Sequence, residues 1–283
     1  MKHHAPSPSD AEEKSESKHP TFSVILCINR PNPWWRDALA SVLAQDDPDF
    51  EFLIAANACA DELWEKLQKI AANDARVRLF RTSIGQLSFN LNLLANQAHG
   101  DFLVRMDADD IAAKNRIATL RKQLADSPVD ILGSAVWLID ERDQVVGRID
   151  FPLKHDEIVR AMKQRTVFCH PAVAIRRQFL LDMRGYLGGY YSEDTDLWLR
   201  ALRAGGCMQN LPDALLRYRI HENQSIATRQ GYAEVASYWL RELLIAPSWY
   251  TFLGFTQALV KSLVAPMLPG VRRYRRSKVE KHG

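Results

Sequence analysis

DFLVRMDADDIAAKNR, residues 101–116, places an apolar run directly ahead of three aspartates in four positions. Phe102, Leu103 and Val104 lead through Arg105 and Met106 into Asp107, Asp109 and Asp110. Clustered carboxylates repel one another and lose hydration when buried. Something must stand against them: a divalent cation, a basic partner or solvent. On extended backbone, residues i and i+2 face the same side. Asp107 and Asp109 are therefore expected to aim at one point and Asp110 to point elsewhere. The structural alternative is that Asp109 and Asp110 open a helix and complement its dipole.

Outward from this stretch the chain alternates strands and helices. TFSVILCI (21–28) reads as a short, apolar, β-branched strand, and FEFLIAAN (50–57), RVRLFRT (76–82) and DFLVRMD (101–107) read as further strands. WWRDALASVLAQ (34–45), DELWEKLQKIAAN (61–73) and SFNLNLLANQAH (88–99) carry helical periodicity between them. That rhythm predicts βαβ units and a mostly parallel sheet covered on both faces. Ligands bind such sheets at the carboxyl ends of the strands, and Asp107 stands at one of these ends. Oxygen-only ligands there suit Mg²⁺ or Mn²⁺ with positions left for phosphate oxygens, so the matching ligand is a metal–diphosphate. Beyond residue 129 the rhythm loosens. VDILGSAVWLID (129–140) and VVGRI (145–149) read as strands, and HDEIVRAMKQR (155–165) and TDLWLRALRAGG (195–206) as helices, with Gly206 suited to a C-terminal cap.

The chain has 283 residues, 47% hydrophobic and 25% charged, enough for one large globular domain. A net charge of +3 does not point to nucleic acid. The charge is unevenly placed: residues 269–283 hold six Lys/Arg against one Glu. Residues 1–20 are rich in Ser, Pro, Lys and Glu and read as a disordered tail. Cys27, Cys59, Cys169 and Cys207 are widely spaced without a CxxC pair, which fits reduced thiols in a cytosolic protein. The polar start lacks a signal-peptide core. WYTFLGFTQALVKSLVAPML (249–268), interrupted by Gln257, Lys261 and Pro266, is a poor membrane span. Followed by the Arg cluster, it reads either as a helix lying on a membrane surface or as a helix packed on the domain. The extension is taken as residues 231–283 and the main domain as 21–230.

The ordered segments resemble family 2 glycosyltransferases, which have the GT-A fold, over roughly residues 22–228. FSVILCINRPNPWWRDALASVLAQDDPDFEFLIAAN is similar to that family's opening β-α-β, and Gly85, Asn92 and Gly100 to its G…N…G run before the DxD strand. FCHPAVAIRR, YYSEDTDLWLRALRAGG and LLRYRIHENQS match its His-Pro, Glu-Asp and Arg-x-His…Ser segments. The resemblance implies an inverting transfer of a sugar from a nucleotide-diphosphate donor to a hydroxyl of a saccharide or lipid-linked acceptor, in surface polysaccharide or lipopolysaccharide assembly at the inner membrane face. Asp107 and Asp109 would hold Mn²⁺ or Mg²⁺, and His221 falls where the family places a late histidine that reaches metal or diphosphate. Asp194 would be the general base, with Glu193 shaping the acceptor pocket or supporting Asp194. Read locally, Glu193, Asp194 and Asp196 simply open a helix. Arg217 and Arg219 could offer charge to phosphate, His170 is structural or acceptor-facing, and Trp34 and Trp35 line an acceptor groove or pack.

One departure concerns the donor base. Ala56 stands where the family carries an Asp that hydrogen-bonds the nucleotide base, so Asn57 or Asp61 must take that contact or recognition differs. Ala56 also supports a rival reading, a catalytically degenerate nucleotide-sugar-binding relative. A DxDx(T/V) phosphatase is disfavoured because Ile111 replaces Thr or Val. A sugar-nucleotide pyrophosphorylase is disfavoured because the loop NRPNPWW after the first strand has no glycine.

Overall fold

The computed structural model describes residues 21–221 and 229–264. The predicted tail 1–20, the Ser225 part of the Arg-x-His…Ser segment and the basic run 269–283 lie outside the described residues. The chain order is β1 (Phe22–Ile28), α1 (Trp35–Leu43), β2 (Phe50–Asn57), α2 (Asp61–Ala71), β3 (Val77–Thr82), α3 (Leu87–Gln97) and β4 (Phe102–Met106). Then follow β5 (Ile111–Ala112), α4 (Arg116–Asp126), β6 (Ile131–Ile139), β7 (Val145–Ile149), α5 (His155–Met162), β8 (Ala174–Arg176), α6 (Arg177–Asp182), α7 (Glu193–Arg203) and β9 (Met208–Arg219). Two helices close the described chain, α8 (Arg229–Ile245) and α9 (Trp249–Val264).

Among the described residues nine strands form one sheet in the order β3-β2-β1-β4-β8-β6-β9-β5, with β7 on β6. The first four pair in parallel, as the alternating segments predict. The second half is mixed: β8 runs antiparallel to both β4 and β6, and β5 antiparallel to β9. Side-chain alternation on β1 splits the core in two. Val24 and Leu26 face one apolar cluster with Trp35 and Leu39 of α1, and Ile25 faces the other with Leu91 of α3. All four cysteines are free.

The sheet must curl for the acidic turn to exist. Four strand spacings separate β4 from β5 in the sheet, about 19 Å if it were flat. Only residues 107–110 join them, and five peptide steps reach at most about 18 Å fully extended. The far edge therefore bends over the carboxyl end of β4. The same constraint overturns the reading of Asp109 and Asp110 as a helix start, because β5 follows them and α4 begins only at Arg116. The glycine that ends α7 is also reassigned: Gly205 takes the left-handed conformation (φ +74°), while Gly206 lies against the Phe179 ring.

α8 and α9 form a helical hairpin joined by residues 246–248. Gly254 of α9 lies so close to Trp239 of α8 that a Cβ would come within 2.2 Å of the indole. α8 is tied to α7 by Arg203 with Glu242 and by Arg241 with the buried Asp196.

Candidate active site

The turn between β4 and β5 brings oxygens of Asp107, Asp109 and Asp110 within 4.8 Å of one another. Its backbone is clamped from two sides. Asn32, after β1, donates to the Ala108 carbonyl at 3.1 Å, and Arg219 Nε donates to the Asp109 carbonyl at 2.7 Å. Asp107 is held by Arg105, whose buried guanidinium reaches it at 2.6 Å. Asp110 does not point away as expected. It is buried at 1% exposure, accepts the Arg219 amide at 2.9 Å through Oδ1, and leaves Oδ2 without a partner. Burial, then the charges of Asp107 and Asp109, push its carboxyl well above the usual range.

His221 closes the cluster, with Nε2 2.9 Å from Asp109 Oδ2 and a buried Nδ1 that has no partner. Burial and Asp107 push the Asp109 carboxyl up, against the pull of His221. Trp34 belongs to the site: its ring packs 5.0 Å from the His221 ring, the Arg219 guanidinium lies 4.8 Å over it, and its Nε1 donates to the Glu141 carbonyl. Trp35 is core. Arg219, not Arg217, is the arginine that meets the acids. It is wholly buried and also bonds the Asp140 carbonyl and Asp143. Arg217 is exposed on β9, opposite Ile111 of β5. The three carboxylates, with an unpaired buried Asp110 oxygen and His221 bonded to Asp109 beside them, fit a hard divalent cation.

Glu193 and Asp194 open α7. Asp194 is half-buried, and its Oδ1 accepts the Thr195 amide at 2.6 Å. Burial raises its pKa above the ordinary 3.8, with His170 pulling down and Glu193 pushing up. Burial alone would raise Glu193 too, but His170, whose Nδ1 lies 3.5 Å away, together with a backbone hydrogen bond and the Arg105 charge holds it low. His170 Nε2 meets the Tyr186 hydroxyl at 3.1 Å, so a Tyr186–His170–Glu193 chain backs the pair. Arg105 connects the two acidic groups: its charge favours ionisation of Asp110 on one side and of Glu193 on the other.

The remaining sequence candidates separate. Asn57 ends β2, is 6% exposed and keeps a buried Oδ1 without a partner. A Cβ on Gly85 would come within 3.5 Å of the Ala58 Cβ, an ordinary contact, at the same strand ends. Asp61 is exposed and paired with Arg81 at 2.5 Å. Asn92 is not brought to the acids: its amide brackets Tyr186, accepting the backbone N–H at 2.8 Å and donating to the carbonyl at 2.9 Å. A Cβ on Gly185 would collide with that amide. Sequence reading missed Asp110, Arg105 and Tyr186. An arginine inside the apolar strand FLVRM was the available signal, since a buried cation requires an anion.

Residues 23–184 match the sequence model of Glycosyl transferase family 2. The chain belongs to that family. It is 33% identical over 248 residues to the O-antigen biosynthesis glycosyltransferase WbnJ of Escherichia coli, covering 85% of this chain and 97% of the relative. It is 31% identical over 222 residues to the Escherichia coli UDP-Gal:alpha-D-GlcNAc-diphosphoundecaprenol beta-1,3-galactosyltransferase, covering 75% and 78%. Among solved structures, the mannosyltransferase PcManGT of Pyrobaculum calidifontis, in complex with GDP-Man and Mn²⁺, superposes with a TM-score of 0.64 at 17% identity over 87% of this chain and 70% of that one. The fold is GT-A, and this glycosyltransferase carries its acidic turn where the curled sheet converges.

Proposed function

We propose that this glycosyltransferase inverts the anomeric centre of a sugar as it moves it from a nucleotide-diphosphate donor to a hydroxyl of a saccharide or lipid-linked acceptor, in cell-surface polysaccharide synthesis. The observation that carries the reading is one buried arginine, Arg105, set between an acidic turn with unpaired oxygen and an acid pair that includes a raised carboxyl.

Asp107, Asp109, Asp110 and His221 would hold Mn²⁺ or Mg²⁺, which when bound neutralises charge on the diphosphate leaving group. Asn57, with its unpaired buried acceptor, takes the base contact that Ala56 cannot make, and Gly85 leaves room for the nucleoside. Asp61 remains at the rim through its pair with Arg81. Inversion is one displacement. The acceptor oxygen attacks the anomeric carbon, the bond to the diphosphate oxygen breaks, and the acceptor proton passes to Asp194. A carboxyl raised by burial suits that work, because it is more basic than a solvated one. Glu193, kept ionised by His170, orients the acceptor hydroxyl.

The α8–α9 tip supports contact with an inner membrane face. Leu244, Ile245 and Trp249 are 73%, 56% and 72% exposed. The basic run 269–283 follows in sequence. Among the described residues no helix is long and apolar enough to cross a membrane. Calorimetry with UDP, GDP, dTDP, ADP and CDP, each with and without Mn²⁺, tests the core of the proposal. One nucleotide binding only with metal is expected. A folded protein that binds none of the five would refute it and favour a degenerate relative.

A further inference from the structure

Directly ahead of Glu193 and Asp194 the chain runs through Gly188, Gly189, Tyr190, Tyr191 and Ser192. This loop is held by another element. Glu234 of α8 accepts hydrogen bonds from the Tyr190 amide at 2.8 Å, the Tyr191 amide at 3.0 Å and the Ser192 hydroxyl at 2.8 Å. The Tyr238 hydroxyl accepts from the Gly189 amide at 2.5 Å. Gly189 is required for this approach, since a Cβ there would come within 2.4 Å of the Glu234 carboxyl carbon. So tethered, the loop turns both tyrosines outward: Tyr190 is 71% exposed and Tyr191 41%, with ring centroids 5.1 Å apart, edge to face. Across from them Gln230, Ala233, Glu234 and Ser237 occupy one face of α8 at i, i+3, i+4 and i+7. Between the two walls lies an open groove of about 630 Å³.

We propose that this groove is an acceptor subsite that binds a sugar ring adjoining the one whose hydroxyl faces Asp194. The inference rests on the transferase reading above and adds the acceptor's class, a saccharide of at least two rings. The lining carries the argument. Among the described residues no Lys or Arg lines the groove, so it does not suit the donor diphosphate or a lipid pyrophosphate. The one carboxylate is already engaged by three donors. What faces the groove is aromatic and neutral: two phenol rings, an amide and a hydroxyl. A pyranose presents apolar C–H faces to rings and hydroxyls to groups that both donate and accept, as Gln, Ser and Tyr do. Exposed aromatic rings fixed in place lose little conformational freedom on binding. Ala233 and Ser237 are small and leave the space open. Tyr191 stands three residues before Asp194, at most about 11 Å along the chain, so a ring against it lies next to the reacting position. The groove is also beyond residue 184, where the family match ends.

The test is saturation-transfer NMR with the methyl glycosides of a hexose, of an N-acetylhexosamine and of their β-linked disaccharides as probes, alongside UDP, GDP, dTDP, ADP and CDP with Mn²⁺ on the same samples. Disaccharide signals are expected to be saturated by the wild-type protein more strongly than monosaccharide signals. Tyr190→Ala and Tyr191→Ala should each weaken disaccharide binding about tenfold or more, and Tyr190→Trp should restore it. Ala233→Leu, a helix-compatible change that fills the groove, should abolish it with both tyrosines in place. No saturation of any probe, or equal binding by wild type, Tyr191→Ala and Ala233→Leu, overturns the subsite. Nucleotide binding is read separately: sugar bound in the groove without any nucleotide bound would sink the transferase reading and leave the subsite standing.

Discussion

Replacing Asp110 with Asn should stabilise the metal-free protein and weaken its hold on a divalent cation. The oxygens of Asp107, Asp109 and Asp110 lie within 4.8 Å of one another. Two unit charges at that separation repel by about 3.5 kcal/mol at an effective dielectric of 20. Asp110 takes part in two such pairs, so full ionisation would cost about 7 kcal/mol. Three effects reduce this. Arg105 compensates Asp107 directly, Asp107 and Asp109 keep 35% and 22% of their side chains exposed, and burial drives Asp110 toward its protonated form. A net gain on the order of 2 kcal/mol is left, which for a chain of this size is about 4–8 °C in Tm. Asn is isosteric and keeps the acceptor for the Arg219 amide, so the clamp survives. Removing one charged ligand should then cost the cation tenfold or more in affinity, about 1.4 kcal/mol for each factor of ten. The assay is thermal unfolding in EDTA and in excess Mn²⁺, with Mn²⁺ affinity measured directly. The variant should melt higher than wild type in EDTA and gain less from Mn²⁺. A variant that melts lower in EDTA would refute the repulsion argument, and one that gains as much from Mn²⁺ would show that Asp110 is no part of a cation site.

Four further outcomes are expected. Asp194→Asn should lower transfer by about 10²- to 10⁴-fold while nucleotide binding persists; near wild-type transfer would exclude Asp194 as the base. The same carboxyl has a folded pKa above its ordinary 3.8, so the folded state binds the extra proton and loses stability as pH rises from that value through the raised one. Asp194→Asn should therefore melt higher than wild type at pH 8 and equally below about pH 3.8, while wild-type transfer rises with pH across the same window; a pH-independent difference in melting would contradict this. Asn57→Ala should reduce nucleotide affinity about tenfold, the worth of one hydrogen bond to a buried acceptor, and an unchanged calorimetric Kd would place the base elsewhere. Leu244→Ser combined with Ile245→Ser should lower co-sedimentation with phosphatidylglycerol vesicles severalfold, and equal sedimentation would remove the α8–α9 tip from any membrane contact.

The parallel half of the fold was legible because its signals are local. FEFLIAAN coincides with β2, and the other strands read in that half end within a residue or so of the observed ones; outside it VVGRI coincides with β7. The unread elements are those made by distant pairing. β5 has two residues and β8 three, and each exists only through its partner. No periodicity can announce a two-residue strand. α4 was readable, since Ile117, Leu120 and Leu124 follow helical spacing, but the aspartates just ahead suggested a helix start several residues too early. At the site, Asp107, Asp109, His221, Glu193 and Asp194 were named from motif order. Asp110 was lost because the i, i+2 rule holds for a strand, and the backbone leaves the strand at Met106. Arg217 and Arg219 share a strand face. Only the tertiary cover over the end of β9 buries the second and leaves the first in solvent.

The demand that something positive stand against the three aspartates is met in an unexpected way. Arg105, Arg116 and Arg219 are the three largest fully buried side chains among the described residues, and all of them lie about the acidic turn. Yet most of their donors go to backbone. Arg116 bonds the carbonyls of Arg105 and Pro171, and Arg219 those of Asp109 and Asp140. Burial pulls Arg116 down to about 10, which leaves it charged at neutral pH. Buried guanidiniums used this way fix the turn from behind, with Arg105 pairing directly with a turn carboxylate, that of Asp107, and Asp110 Oδ2 and His221 Nδ1 stay unpaired. A purely structural cluster would have closed those bonds, because an unmet buried acceptor costs about 1–3 kcal/mol. The arrangement spends its cations on geometry and keeps its anions open, as a site built to receive a cation and a diphosphate requires.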